Sequence, residues 1–296
     1  MLTLNRSLWQ DQAGVPGVIR ESPIPSNIVD NEILVKVHAW AMNPADAMVQ
    51  DVPLPFIKYP LILGEDVAGT VERAGSAATA RFQPGNRVLG LALGAAHGVQ
   101  DPDSLSFAEA SVFPLCIATA AHGLFSKDYL ALPFPTTDTP TNSTGKSILI
   151  WGGSSGVGSN AIQLSKAAGF EVFTTCSARN FEYVKGLGAD HVYDYNDPGV
   201  INKVHQSKQS LRIAATNPIP EGVAPEGVDA KMIFASGGVV IYHETTPATF
   251  AGYLPDALAK GVYKVAPPPE IVPTKGLEAF RRHWIYSRRV SQPKNW

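Results

Sequence analysis

The sequence predicts an α/β protein: a β-rich first part, then a doubly wound parallel sheet in shortened form. Three observations carry this. Residues 147–179, SILIWGGSSGVGSNAIQLSKAAGFEVFTTCSAR, read as strand, Gly/Ser turn, helix and second strand. Before Leu105 the chain offers only short branched runs punctuated by Gly and Pro, without a βαβ rhythm. Hydrophobic residues make up 45% of the 296 positions and charged ones 17%, enough to build a core in a chain of two-domain length.

Taken in order, Glu32–Ala39 is the first predicted strand, rich in branched residues. Pro53, Pro55 and Pro60 break the next stretch of chain into loop. Val67–Val71 and Arg87–Leu91 are further strands, separated by a turn at Gln83-Pro84-Gly85-Asn86. Ser104 or Ser106 caps a helix over Phe107–Val112, with Glu109 placed to close a capping box on Ser106. Ile117–Phe125 is a second helix, and Pro133–Thr144 a Pro/Thr-rich loop. Beyond the central unit come a helix over Phe181–Leu187, a strand at His191–Asp194 and a polar helix over Asn202–Ser210. A strand ends near Ala215, Phe250–Lys260 is a helix stopped by Gly261, and Val265–Pro273 is an irregular edge strand. The run Arg281–Arg289 fits no template, and the chain shows no internal repeat.

Composition removes several classes of function. A net charge of −2 without a Lys/Arg block excludes a nucleic-acid footprint. No apolar run reaches membrane-span length, and MLTLNRSLWQDQ lacks the pattern of a secretion signal. Cys116 and Cys176 are too few for a disulfide framework, so a reducing, cytoplasmic location is the expectation.

The central turn, Gly152 to Gly158, has the chemistry of a pyrophosphate site. Glycines let the backbone approach the anion, and a helix N-terminus offers free N–H groups and partial positive charge. Its position between a predicted strand and a predicted helix is the context that gives such a motif meaning. Gly153, Ser154, Ser155, Gly156 and Val157 are the candidate cofactor contacts. An NAD site places an acid at the end of the second strand to bind the ribose hydroxyls. Here that end reads Thr174-Thr175-Cys176-Ser177-Ala178-Arg179. Ser177 can donate a hydrogen bond and Arg179 can pair with a 2′-phosphate, which predicts NADPH; the alternative for Arg179 is an ordinary solvated charge.

Several stretches, in order, resemble the medium-chain dehydrogenase/reductase superfamily. They are Met42-Asn43-Pro44-Ala45-Asp46, Leu63–Val71, Pro84–Val88, Pro114–Ala120, the Gly152–Gly158 turn and Leu187–Tyr195. The branch they resemble is the zinc-free, quinone-oxidoreductase-like one that includes fungal trans-acting enoyl reductases of polyketide biosynthesis. The resemblance implies a GroES-like β-rich domain over residues 1–120, to which 262–296 returns, and a Rossmann NADPH-binding domain over 121–261. It further implies that Asn43 lines the active site, Thr119 approaches the nicotinamide, Tyr195 packs on the adenosine-phosphate side and Asp46 orders the active-site loop. The branch often carries a Lys two residues after that Asp, where this chain has Met48.

Catalytic zinc needs Cys, His and a further ligand around an open position. The segment Ala39–Met42 has no Cys, and Glu65-Asp66 stands where the zinc-dependent branch has a His-Glu pair, so no metal is expected. The two acids read as satisfied loop residues. Without a metal to polarise a carbonyl, the expected reaction is reduction of an activated C=C, enoyl or enone, with donors to hold the enolate oxygen. Asn43 is a candidate donor, or else a turn-forming Asn before Pro44. No residue stands out as proton donor.

The expected substrate is a small-molecule or carrier-bound enoyl compound, supplied by a polyketide synthase in trans, and the expected state monomer or homodimer. The alternatives are a quinone or carbonyl reductase, or a shortened, impaired homologue that at most binds nucleotide. The last rests on two apparent gaps. Only a bridge, Ala95–Gln100, stands where the resemblance expects a strand, and the chain passes from Leu211-Arg212 to Ala215 where it expects a further strand and helix.

Overall fold

The computed structural model describes residues 4–279 except 56, 93–96, 101–104, 113, 138–143, 206–211, 218, 220–228, 234–242 and 274–275. The first half is built from two antiparallel sheets. β1 (Leu4–Gln10), β2 (Val18–Pro23) and β4 (Leu61–Ile62) form one, in the order β2-β1-β4. β3 (Ile33–Ala41), β5 (Asp66–Ala74), β6 (Arg87–Leu91) and β7 (His97–Gln100) form the other, in that order. β7 corrects the expectation of a bare bridge: His97–Gln100 pairs with Val88–Leu91, so the short connection still adds a strand. Its Gly98 gave no branched signal in the sequence.

The loop expected from Pro53 onward is preceded by a helix not anticipated, α1 (Pro44–Asp51), which begins with Pro at its first position as helices allow. α2 (Phe107–Ser111) has the predicted cap, with Ser106 Oγ accepting from Glu109 N and Glu109 accepting from Ser106 N. α3 (Pro114–Phe125) is apolar because it is the joint of the molecule. Ile117, Ala118, Ala121 and Leu124 are buried between Ala68 and Leu89 of the first half and Ile162 and Leu164 of the second, in one continuous core. The expected boundary at residues 120/121 falls inside this helix.

The second half opens with β8 (Ser147–Trp151), α4 (Gly156–Ala167) and β9 (Glu171–Cys176). α5 (Phe181–Gly186), β10 (His191–Asp194) and α6 (Val200–His205) come next. β8, β9 and β10 form a parallel sheet in the order β10-β9-β8. The predicted strand, turn, helix, strand sequence is therefore present, with β9 and β10 at the expected bounds. β11 (Arg212–Ala215) and β12 (Asp229–Met232) pair in parallel as a separate two-stranded sheet. Among the described residues β8 has a neighbour on one side only, and Leu149 and Trp151 are 40% and 45% exposed. A parallel strand is ordinarily covered on both faces, so the sheet stops earlier than its pattern demands.

Near the C-terminus a π-helical stretch, Ala248–Tyr253, runs into α7 (Leu254–Ala259). The edge strand expected at 265–273 is absent; this segment is irregular, as its four prolines dictate. The run 281–289 and the end of the helix expected over 202–210 lie outside the described residues. Farther along, Leu277 packs with Leu8 and Glu278 pairs with Arg6 at 3.7 Å, so the chain comes back to its first strand.

Candidate functional site

The turn between β8 and α4 is shaped by backbone. A Cβ at Gly158 would lie 2.3 Å from the Gly152 carbonyl, and one at Gly153 2.1 Å from Thr174 Oγ1, so the loop closes onto β9 only with glycine at both. Ser155 caps α4, its Oγ accepting from Gly158 N at 3.0 Å. Gly153 N donates to Thr175 O at 2.9 Å. The N–H groups of Ser154, Gly156 and Val157 have no acceptor among the described residues. Three unpaired donors at a helix start, with glycine-lined room before them, fit a dinucleotide's pyrophosphate.

The adenosine-side candidates gather at the C-terminal end of β9. Ser177 accepts from Asn180 Nδ2 at 3.1 Å, and Arg179 is exposed on the 3-10 turn Ala178–Asn180. Tyr195 is held beside them by its N–H on Cys176 O at 3.3 Å. No acid stands between Thr174 and Arg179.

On the other side of the turn lies α3. Cys116 packs on the start of α4, so closely that a Cβ at Gly156 would come within 2.7 Å of its Sγ. Thr119, nearly one turn further along α3, is half-buried. Behind Cys116 is a pocket of carboxyl groups. Asp66 Oδ1 accepts from Leu115 N at 2.7 Å and Oδ2 from Asn43 Nδ2 at 3.0 Å. Asp46 Oδ2 accepts from Asn43 N at 2.8 Å and Oδ1 from Gly64 N at 3.2 Å. Asn43, which sequence placed as an oxyanion donor or a turn residue, thus gives its amide to Asp66 and its backbone to Asp46. It connects to the α3 candidate Thr119 through Asp66 and the helix itself.

Burial dominates the electrostatics here. It pushes Asp46 up to about 6 against the opposing pull of its two N–H donors. It raises Asp66 well above the usual range, and raises Cys116 to about 12 with the help of Asp66. Glu65 is pushed up to about 8, by burial first and by Asp46 second. The sequence treated Glu65 and Asp66 alike, as satisfied loop residues. Asp66 is satisfied; the Glu65 carboxyl has no hydrogen-bond partner among the described residues.

A catalytic zinc does not fit this donor set. The pocket offers carboxyls that burial keeps protonated and a thiol that stays a thiol, with no His. Among the described residues no group of three or more His, Cys, Asp and Glu is placed to hold a metal ion.

A glycine-turn nucleotide site joined by one helix to a β-rich half defines a dinucleotide-dependent oxidoreductase. Comparison agrees: the family described as "Alcohol dehydrogenase GroES-like domain" matches residues 29–127 and that described as "Zinc-binding dehydrogenase" matches 156–230. Dehydrogenase azaJ of Aspergillus niger is 40% identical, over 90% of this chain and 92% of its own. Trans-enoyl reductase himH of Aspergillus japonicus is 35% identical, over 93% and 91%. The solved CurK enoyl reductase superimposes with a TM-score of 0.72 at 19% identity, covering 98% of this chain and 97% of its own, a likeness of fold. The chain belongs to the medium-chain dehydrogenase/reductase superfamily, with fungal dehydrogenases and trans-enoyl reductases among its relatives. As such it is an oxidoreductase. The alignment to azaJ runs over 327 positions although 90% of 296 residues is about 266, so about 60 positions of the relative face no residue here.

Proposed function

We propose that the protein is an NADPH-dependent reductase of activated C=C bonds, acting without zinc on an enoyl intermediate, free or carrier-bound, that a polyketide synthase supplies in trans. The observation that carries this is an intact nucleotide turn facing a pocket whose donors do not suit a carbonyl-polarising metal. The similarity to himH, named a trans-enoyl reductase, supports the substrate class. Ser177, Arg179 and Tyr195, with no acid among them, support NADPH over NADH.

When bound, the cofactor supplies a hydride to the substrate's β-carbon. The chain's own residues do the rest. Ser154, Gly156 and Val157 hold the pyrophosphate on their N–H groups, Gly153 and Ser155 shape the turn, and Arg179 pairs with the 2′-phosphate. Thr119 on α3 flanks the nicotinamide. Asn43 and Asp46 fix the loop bearing the carboxyl pocket, and α3 fixes that pocket relative to the turn. The substrate side is residues 1–120 with 262–296 returning to it, and the cofactor side 121–261. The reading includes a cytoplasmic location and a monomeric or homodimeric state.

The β11–β12 pair and the single neighbour that β8 has among the described residues favour a second reading, a homologue that binds nucleotide without turnover. One assay tests both: NADPH consumption with enoyl thioesters, enones and quinones, beside fluorescence titrations with NADPH and NADH. Turnover of enoyl thioesters supports the first reading. Binding without turnover supports the second, and equal affinity for the two cofactors removes the assigned role of Arg179.

A further inference from the structure

The geometry points to Glu65 as the proton donor of this reaction, the acid that protonates the substrate's α-carbon; this rests on the enoyl-reductase reading above. Were the adenosine half of a dinucleotide held at Ser177 and Arg179, the residues left to hold its other half would be those on the α3 side of the turn. Cys116 packs on Gly156 there, and Leu115 beside it binds Asp66. Glu65 is the next residue back along the chain, its backbone fixed by Ala92 N on its carbonyl at 2.5 Å. Three carboxyls meet in this pocket, and they are not equivalent. Asp46 and Asp66 each hold two N–H donors and are buried. Glu65 is half-buried, and both its oxygens are free of hydrogen bonds among the described residues. It alone of the three can offer a proton outward.

The groups around it set its charge state. Asp46 on α1, Asp66 on β5 and the Cys116 thiol on α3 bring no positive charge, and burial with Asp46 holds Glu65 up to about 8. It is therefore protonated at neutral pH, the state a general acid requires. Cys116, at about 12, is a poor donor, and Tyr263 is buried with its hydroxyl given to Asn160. In the balanced step the β-carbon gains the hydride and its electron pair, and the C=C π electrons move to the α-carbon and carbonyl as an enolate. The Glu65 O–H bond then breaks as the Cα–H bond forms. Water returns a proton to the carboxylate, so one NADPH and one solvent proton are consumed per saturated product.

The test compares wild type, Glu65→Gln and Glu65→Asp, using NADPH and the N-acetylcysteamine thioester of crotonic acid. Wild type is expected to hold kcat level up to about pH 8 and lose about tenfold per unit above it. Glu65→Gln should lower kcat about 100-fold and abolish that break, while Glu65→Asp keeps a break at reduced rate. NADPH affinity by fluorescence should be unchanged in all three. Infrared difference spectra of the cofactor-free protein between pH 6 and 10 should show one carboxyl band titrating near pH 8 in wild type and missing in Glu65→Gln. Wild-type turnover with Glu65→Gln matching it in rate and pH profile overturns the role of Glu65 and leaves the enoyl reading standing. Wild type that fails to reduce the thioester, while its NADPH binding is intact, overturns both.

Discussion

The nucleotide turn and the carboxyl pocket are joined across the contact of Cys116 with Gly156, and they are made in opposite ways. The turn is backbone: seven consecutive residues, glycines where nothing else fits, and N–H groups as its reagents. The pocket is side chain: Asn43 and Asp46 from one segment, Glu65 and Asp66 from another, Leu115 and Cys116 from a third. The turn needs only its own sequence and the neighbouring strand to form. The pocket exists only when α1, β5 and α3 are packed, and its acids take on their properties from burial. A change in the turn therefore acts on geometry, and a change in the pocket acts on charge.

The contrast sharpens at Gly158. Gly158→Val drives its side chain into the Gly152 carbonyl, and is expected to lower stability by about 3 kcal/mol and abolish NADPH binding, read by urea unfolding and fluorescence titration. Asp66→Ala comes next. It strips the acceptor from Leu115 N and the Asn43 amide and should cost about 2 kcal/mol in urea unfolding, with Asp66→Asn milder because its remaining carbonyl oxygen can still accept one of those hydrogen bonds. Unchanged stability in Asp66→Ala would break the view that Asp66 anchors the start of α3 to the pocket.

The pocket should also leave a signature in pH. Glu65 ordinarily titrates at 4.5 and is held to about 8 in the folded chain, and Asp46 goes from 3.8 to about 6. Between those values the folded chain keeps protons that the unfolded chain releases, so these two groups make stability fall as pH rises from about 4 to 8. Glu65→Gln should flatten the upper part of the melting-temperature curve and Asp46→Asn the lower part. A wild-type slope through pH 6–8 that Glu65→Gln does not reduce would contradict the burial of that carboxyl. The smallest effect is on the turn's far side: Arg179→Ala should reduce the preference for NADPH over NADH about tenfold, near 1.4 kcal/mol, with NADH affinity unmoved.

The same contrast explains what could be read from the chain before its structure. Strand β9 and strand β10 stand where their branched residues placed them, and the Ser106–Glu109 box closes as its spacing required. All of these are local patterns. α1 was hidden because Pro44 opens it and Pro53 comes closely behind, so proline gave a loop signal at both ends. β7 was hidden because a strand of four residues with Gly98 depends on β6 for its existence. The difference between Glu65 and Asp66 could not be read at all, since it arises from the Leu115 N–H, 49 residues away from Asp66.

β9 is flanked by β8 and β10 and buried along most of its length, while β8 has a single neighbour among the described residues. Hydrogen exchange is therefore expected to be slower in β9 than in β8. Ser177 and Arg179 hang from the end of that slow strand, whereas Glu65 precedes a strand reached through a short loop. The residues proposed to choose the cofactor are thus carried by a strand held on both sides. The residue proposed to donate the proton stands beside β5, which β3 and β6 flank in the same way, so each end of the proposed reaction is held by a strand paired on both sides.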